Sequence, residues 1–202
     1  MKKILFAALP VAAFAVMALN LVSDPLPIGA PIPNPEIKMK DISGKEVSFT
    51  DAQRKNGLLV MFSCNTCPVV KRYQSRSNEV CKYAMEKEIG VILLNPNEAY
   101  RNNGDSYDDS KEYGKANGYS WYYVMDDNSA MADAFGANRT PECFLFNSEG
   151  KLVYHGAIDD NSNSPEEVTR KHAIVAMDEM VAGKEITQKE TRSVGCTIKR
   201  RS

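Results

Sequence analysis

Cys64 and Cys67 stand three residues apart in the stretch FSCNTCPVVKRY, residues 62–73. Thiols at this spacing serve disulfide exchange, metal binding or a plain crosslink. The crosslink is the weakest of the three, because by the chain-entropy argument a disulfide closing so small a loop contributes only about 2 kcal/mol. The pair follows the apolar run LLVMFS and precedes a stretch of helical periodicity, so it lies where a buried strand hands over to a helix. Unpaired N–H groups and the dipole at a helix N-terminus favour an anion, and a thiolate is an anion. Redox chemistry is therefore the leading reading. Cys64, nearer the helix start, is expected to carry the more exposed and more acidic thiol and to attack. Cys67, one helical turn on, is expected to resolve the mixed disulfide. Pro68 fits the first turn, where its missing N–H is no loss.

The chain holds five cysteines, and an odd number cannot all pair internally. Cys81 falls on the apolar face of the helix and reads as a buried small hydrophobe. Cys143, two residues past Pro141, shares a strand face with that proline. Cys196, in a tail without periodicity, is a candidate third redox thiol reaching back to the pair. A metal reading uses the same thiolates, with copper or zinc on Cys64, Cys67 and His155, but no second pair of ligand spacing supports it. No cofactor is expected. Glu142, Lys71 and Arg139 are the charged candidates for tuning the thiols, with solvated surface as the default for each.

The elements that must hold these residues can be read in order. EIKMKDISGKEVSF gives two short strands around Ser43 and Gly44, and Thr50 and Asp51 offer a cap for a brief helix. LLVMFS is a strand buried on both faces, residues 68–87 a long helix, and VILLN a second buried strand, the unit that builds parallel sheets. A polar segment follows, with one helix near residues 106–116 and an Asp cluster read as solvated surface. SWYYVMDD is then a strand, and SAMADAFG a short helix with Ser129 as cap and Gly136 as stop. TPECFLFNSEGKLVYHGAI reads as a hairpin with its turn at residues 147–150. Asp159 and Asp160 after it are read as turn caps, and residues 164–182 as the closing helix, with Pro165 at its first position.

A chain of 202 residues with 43% apolar and 25% charged residues is an ordinary globular composition. A net charge of -1, with scattered Lys and Arg, excludes the basic field that nucleic acid requires. Residues 1–23 place two lysines before a long apolar run, the layout of a signal peptide or N-terminal membrane anchor. The expected organisation is that leader, a domain over residues 24–183, and a tail over residues 184–202 carrying Cys196. Export, to a periplasmic or extracellular compartment, would let disulfides persist, with membrane contact only through an uncleaved N-terminus.

Taken together, CNTCPVVKRY, VILLNPNEA, GANRTPECFLFNSEGKLVYHGAIDDN and SVGC resemble the thioredoxin-like superfamily. Within it, the similarity is to the redoxin group that includes the alkyl-hydroperoxide-reductase/thiol-specific-antioxidant family, on its peroxiredoxin-like branch. The resemblance implies an α/β thioredoxin-like fold with a central mixed sheet flanked by helices. It implies a cis bond between Thr140 and Pro141 facing the cysteines, and a groove in which the backbone of Thr140 pairs with an extended partner segment. It also implies an oxidoreductase that acts on a protein or small-molecule disulfide, or on peroxide, and draws on a thiol electron donor. Met61 stands where a peroxidase of this family carries Thr or Ser, three residues before the attacking cysteine. Leu58 stands where thioredoxin buries an acid.

Overall fold

The computed structural model describes residues 24–201. The expected leader over residues 1–23 lies outside them. Among the described residues no helix is long and apolar enough to cross a membrane.

A small hairpin, β1 (Met39–Lys40) and β2 (Glu46–Val47), leads into α1 (Phe49–Ala52). The helix is capped by Ser48 rather than by Thr50. Ser48 accepts from the Asp51 N–H, and Asp51 accepts from the Ser48 N–H, a reciprocal pair that satisfies two otherwise orphaned donors. The sheet proper starts with β3 (Leu58–Phe62), continues through α2 (Pro68–Glu86) to β4 (Gly90–Asn95), and passes α3 (Tyr107–Ala116) to β5 (Tyr122–Met125). After α4 (Ala130–Phe135) and the two-residue β6 (Arg139–Thr140), the hairpin β7 (Glu142–Phe146) and β8 (Leu152–Gly156) completes it. The strand order is β5-β4-β3-β7-β8, with the first three parallel and the last two antiparallel to their neighbours. It is the mixed central sheet expected for a thioredoxin-like fold.

Alternation along the central strands makes two cores. Leu58, Val60, Phe62, Ile92, Leu94, Phe144 and Phe146 face α1 and α4 through Phe49, Met131 and Phe135. Leu59, Met61, Val91, Leu93, Cys143 and Leu145 face the other way, under Tyr73, Val80, Cys81 and Ala84 of α2 and Ala173, Ala176 and Met177 of the last helix. Every residue of β3 and β4 is buried, which is why both segments read as unbroken apolar runs.

Three expectations are corrected. The closing helix does not begin at Ser164: Pro165–Glu167 forms one 3-10 turn, Val168 turns extended, and α5 runs over His172–Val181. Asp160 explains the break, since its carboxylate accepts from the Thr169 N–H and holds the chain outside helical geometry there. Ser129 occupies the cap position of α4 but donates its hydroxyl to the Pro96 carbonyl, and the Asp126 carboxylate takes the N–H groups of Met131 and Ala132 instead. The tail, aperiodic in sequence, is nonetheless docked, and carries β9 (Cys196–Thr197) paired antiparallel with β6.

Candidate active site

β3 ends at Phe62, and Ser63 still bonds to the Leu94 carbonyl, so Cys64 emerges directly from the sheet. Cys67 occupies the N-cap position of α2, Pro68 its first turn, and the Lys71 N–H donates to the Cys67 carbonyl. The strand-to-helix placement expected from sequence is thus observed, and so is the cis bond between Thr140 and Pro141. Thr140 faces both sulfurs. Its hydroxyl lies 3.2 Å from the Cys64 Sγ, and its carbonyl oxygen 3.4 Å from the Cys67 Sγ.

The disulfide joins Cys67 to Cys196, with Cα atoms 6.0 Å apart, and not Cys67 to Cys64. Cys64, Cys81 and Cys143 are free, and all three are buried. The expectation of an exposed, acidic Cys64 is therefore corrected for this state: Cys64 is 0% exposed. Burial raises its thiol pKa above the ordinary cysteine value, and the negative charge of Asp105 adds to that. The Thr140 hydroxyl and the N–H groups of Cys67 and Thr66 act in the opposite sense. Cys196 of the tail packs against Cys64, in one small apolar cluster with Cys67, Val69 and Val70.

The loop carrying the thiols is held from below by a buried polar network that the sequence reading missed. Asp105, fully buried, accepts from the Asn65 N–H, the Thr66 hydroxyl, and the side-chain amides of Asn95 and Asn97. Tyr123 of β5 donates its hydroxyl to the Asn65 side chain. Reading the Asp cluster as solvated surface is wrong for Asp105 and right for its neighbours Asp108 and Asp109, of which Asp109 accepts from the N–H of Ser106, the cap of α3. The available signal was Asn95, a polar residue closing an apolar strand. A buried amide there requires partners.

Of the charged candidates, Glu142 is buried and pairs with His155 at 2.9 Å. Its other carboxylate oxygen takes the N–H groups of Asn138 and Arg139, so it shapes the approach to Thr140 without touching a thiol. Lys71 is exposed. Arg139 donates to the Gly195 carbonyl and holds the tail. Asp159 is not a simple turn cap: it is buried against Arg76 at 2.6 Å and accepts from the Tyr73 hydroxyl. Among the described residues no three His, Cys, Asp or Glu side chains converge in a way that would hold a metal.

A redox-capable thiol at a strand-to-helix junction, facing a cis proline on a mixed five-stranded sheet, defines a thiol oxidoreductase of thioredoxin-like fold. The chain belongs to the AhpC/TSA family, whose model matches residues 28–155. No curated protein matches it. Among solved structures it is similar to an uncharacterized conserved protein from Geobacillus kaustophilus, at 29% identity and a TM-score of 0.80 over 87% of this chain and 93% of that one. A hypothetical protein from Sinorhizobium meliloti 1021 aligns at 27% identity and a TM-score of 0.78, over 89% and 97% of the two chains. The thioredoxin domain of a thiol-disulfide oxidoreductase from Bacteroides vulgatus shares the fold at 21% identity and a TM-score of 0.52, over 64% of this chain and 88% of that one.

Proposed function

We propose that the protein is a thiol-disulfide oxidoreductase in which Cys64 attacks a partner's disulfide and Cys67 resolves the mixed disulfide. The observation that carries this reading is the disulfide on Cys67 with a free Cys64 beside it, both sulfurs against Thr140. One member of the pair is oxidised and its neighbour is a thiol, the arrangement from which exchange proceeds by attack of a thiolate on a disulfide sulfur. Peroxide is the less favoured substrate, since Met61 offers no hydroxyl in front of Cys64. The metal-binding alternative has less support, because His155 is engaged by Glu142.

The substrate groove assigned to Thr140 and Pro141 is supported by the strand pairing that Thr140 makes. Export to an oxidising compartment is part of the same proposal. It rests on the leader-like layout of residues 1–23.

The test is a redox titration of the chain in dithiothreitol and glutathione buffers, trapped by alkylation and mapped by mass spectrometry, with Cys64→Ser assayed for reduction of a peptide disulfide. A reversible two-electron step and loss of at least 100-fold in exchange by Cys64→Ser are expected, on the order of what removing a nucleophile costs. Full activity in Cys64→Ser sinks the assignment.

A further inference from the structure

The tail lies where a partner would. β9 pairs with β6 in antiparallel register, Thr140 opposite Cys196 and Arg139 opposite Thr197, so an extended segment bearing a cysteine already occupies the backbone edge beside Pro141. The seat is built on both sides of that pairing. Upstream, Arg139 donates to the Gly195 carbonyl, and a Cβ on Gly195 would come 2.2 Å from the Thr140 carbonyl oxygen, so only glycine fits before the cysteine. Downstream, the Ile198 N–H donates to Asn138, and Ile198 is buried in the core. The Lys199 N–H donates to the Asn97 side chain, whose amide in turn reaches Asp105 beneath the thiol loop. Arg200 clips the end to Asp133 and to the Ala137 carbonyl.

We infer that Cys196 is the terminal thiol of a three-cysteine relay and that its strand, on docking, takes the partner's place in the groove. The inference rests on the reading of Cys64 and Cys67 as the exchanging pair. Starting from three thiols, the Cys64 thiolate attacks one sulfur of a partner disulfide, and the partner's other sulfur leaves as a thiolate. The Cys67 thiolate attacks the Cys64 Sγ, forming the bond between Cys64 and Cys67 and releasing the partner's second thiol. The Cys196 thiolate then attacks the Cys67 Sγ, and Cys64 leaves as a thiolate that takes up a proton. The partner is reduced by two electrons, the chain is oxidised by two, and the last step is an exchange that needs no further oxidant. Its product is the observed state: Cys67 bonded to Cys196, Cys64 free and buried, and the groove filled. The tail thus moves the oxidising equivalents one cysteine away from Cys64 and prevents the reduced partner from pairing again with Thr140.

The experiment is a single turnover of the fully reduced full-length chain with one equivalent of oxidised glutathione, quenched in acid, alkylated and mapped. In the wild type, a disulfide between Cys64 and Cys67 should rise first and give way to Cys67 bonded to Cys196, in at least tenfold excess at the end. Cys196→Ser should stop at the first disulfide. Gly195→Val keeps every thiol but removes the seat, and it should stop there too. Cys64 of the oxidised wild type should alkylate at least tenfold more slowly than Cys64 of the reduced Cys196→Ser chain. A wild type that ends with Cys64 bonded to Cys67 and Cys196 fully alkylated overturns the relay while leaving the Cys64 and Cys67 pair intact. If Gly195→Val forms the Cys67 to Cys196 bond as fast as wild type, strand docking has no part in it. If Cys64 is never oxidised in any chain, the exchanging-pair reading fails and the relay falls with it.

Discussion

Cys64 is set between groups that push its ionisation in opposite directions. Burial and the Asp105 carboxylate hold it as a thiol, while the Thr140 hydroxyl favours the thiolate through the 3.2 Å contact. Because hydrogen bonding to the charged form lowers a pKa, Thr140→Val should raise that of Cys64 further. The alkylation rate of Cys64 in the reduced chain, followed against pH, should keep its shape and move to higher pH. One unit of displacement means about a tenfold slower reaction at a fixed pH below the midpoint. An unmoved profile would show that the hydroxyl serves only to pack.

At the scale of elements, α4 is the one whose start depends on a carboxylate in an unfavourable place. Asp126 is 1% exposed and caps the helix, and burial pushes its pKa up to about 6 from 3.8 despite the two N–H donors and Arg101. Between these values the native state binds a proton that the unfolded chain has released, so this group's contribution is greatest below the lower value and is lost as pH rises through the upper one. The stability of the wild type relative to Asp126→Asn should therefore fall as pH rises from about 4 to about 6, by up to about 3 kcal/mol. Urea denaturation of both chains across that range measures it; a gap that widened with pH would reverse the sign. β9 makes a complementary point, since two residues with no apolar alternation form a strand only because Arg139 and Thr140 present an open edge to them.

For the whole molecule, the disulfide spans 129 residues and ties the start of α2 to β9 of the tail. The chain-entropy estimate for a loop of that length is roughly 5 kcal/mol, against about 2 for a bond between Cys64 and Cys67. Denaturant unfolding with and without dithiothreitol should therefore show reduction lowering stability by several kcal/mol, and Cys196→Ser should match the reduced wild type without responding to reductant. A wild type indifferent to dithiothreitol would mean that strand pairing and Ile198 burial hold the tail unaided. The ion pair of Arg76 with Asp159 is a buried long-range tie of another kind, joining α2 to the loop after β8 across 83 residues, with both side chains nearly dry.

Periodicity and punctuation sufficed for the sheet and most helices, because their causes are local. Unbroken apolar runs mark strands buried on both faces, and Pro68, Gly90 and Gly136 sit at or beside the boundaries where α2, β4 and α4 begin or end. The placement of Cys64 and Cys67 between β3 and α2 was legible for the same reason, and the cis bond at Pro141 followed from the resemblance. Other features depend on which distant groups meet. Asp105 is buried because Asn65, Thr66, Asn95 and Asn97 converge on it, whereas in sequence it resembles the solvated Asp108 and Asp109 beside it. Cys67 is bonded to Cys196 rather than to its near neighbour because the fold leaves one strand edge open at Thr140 and a tail long enough to reach it. Spacing along the chain identifies thiols that can exchange; only packing decides which of them are in contact.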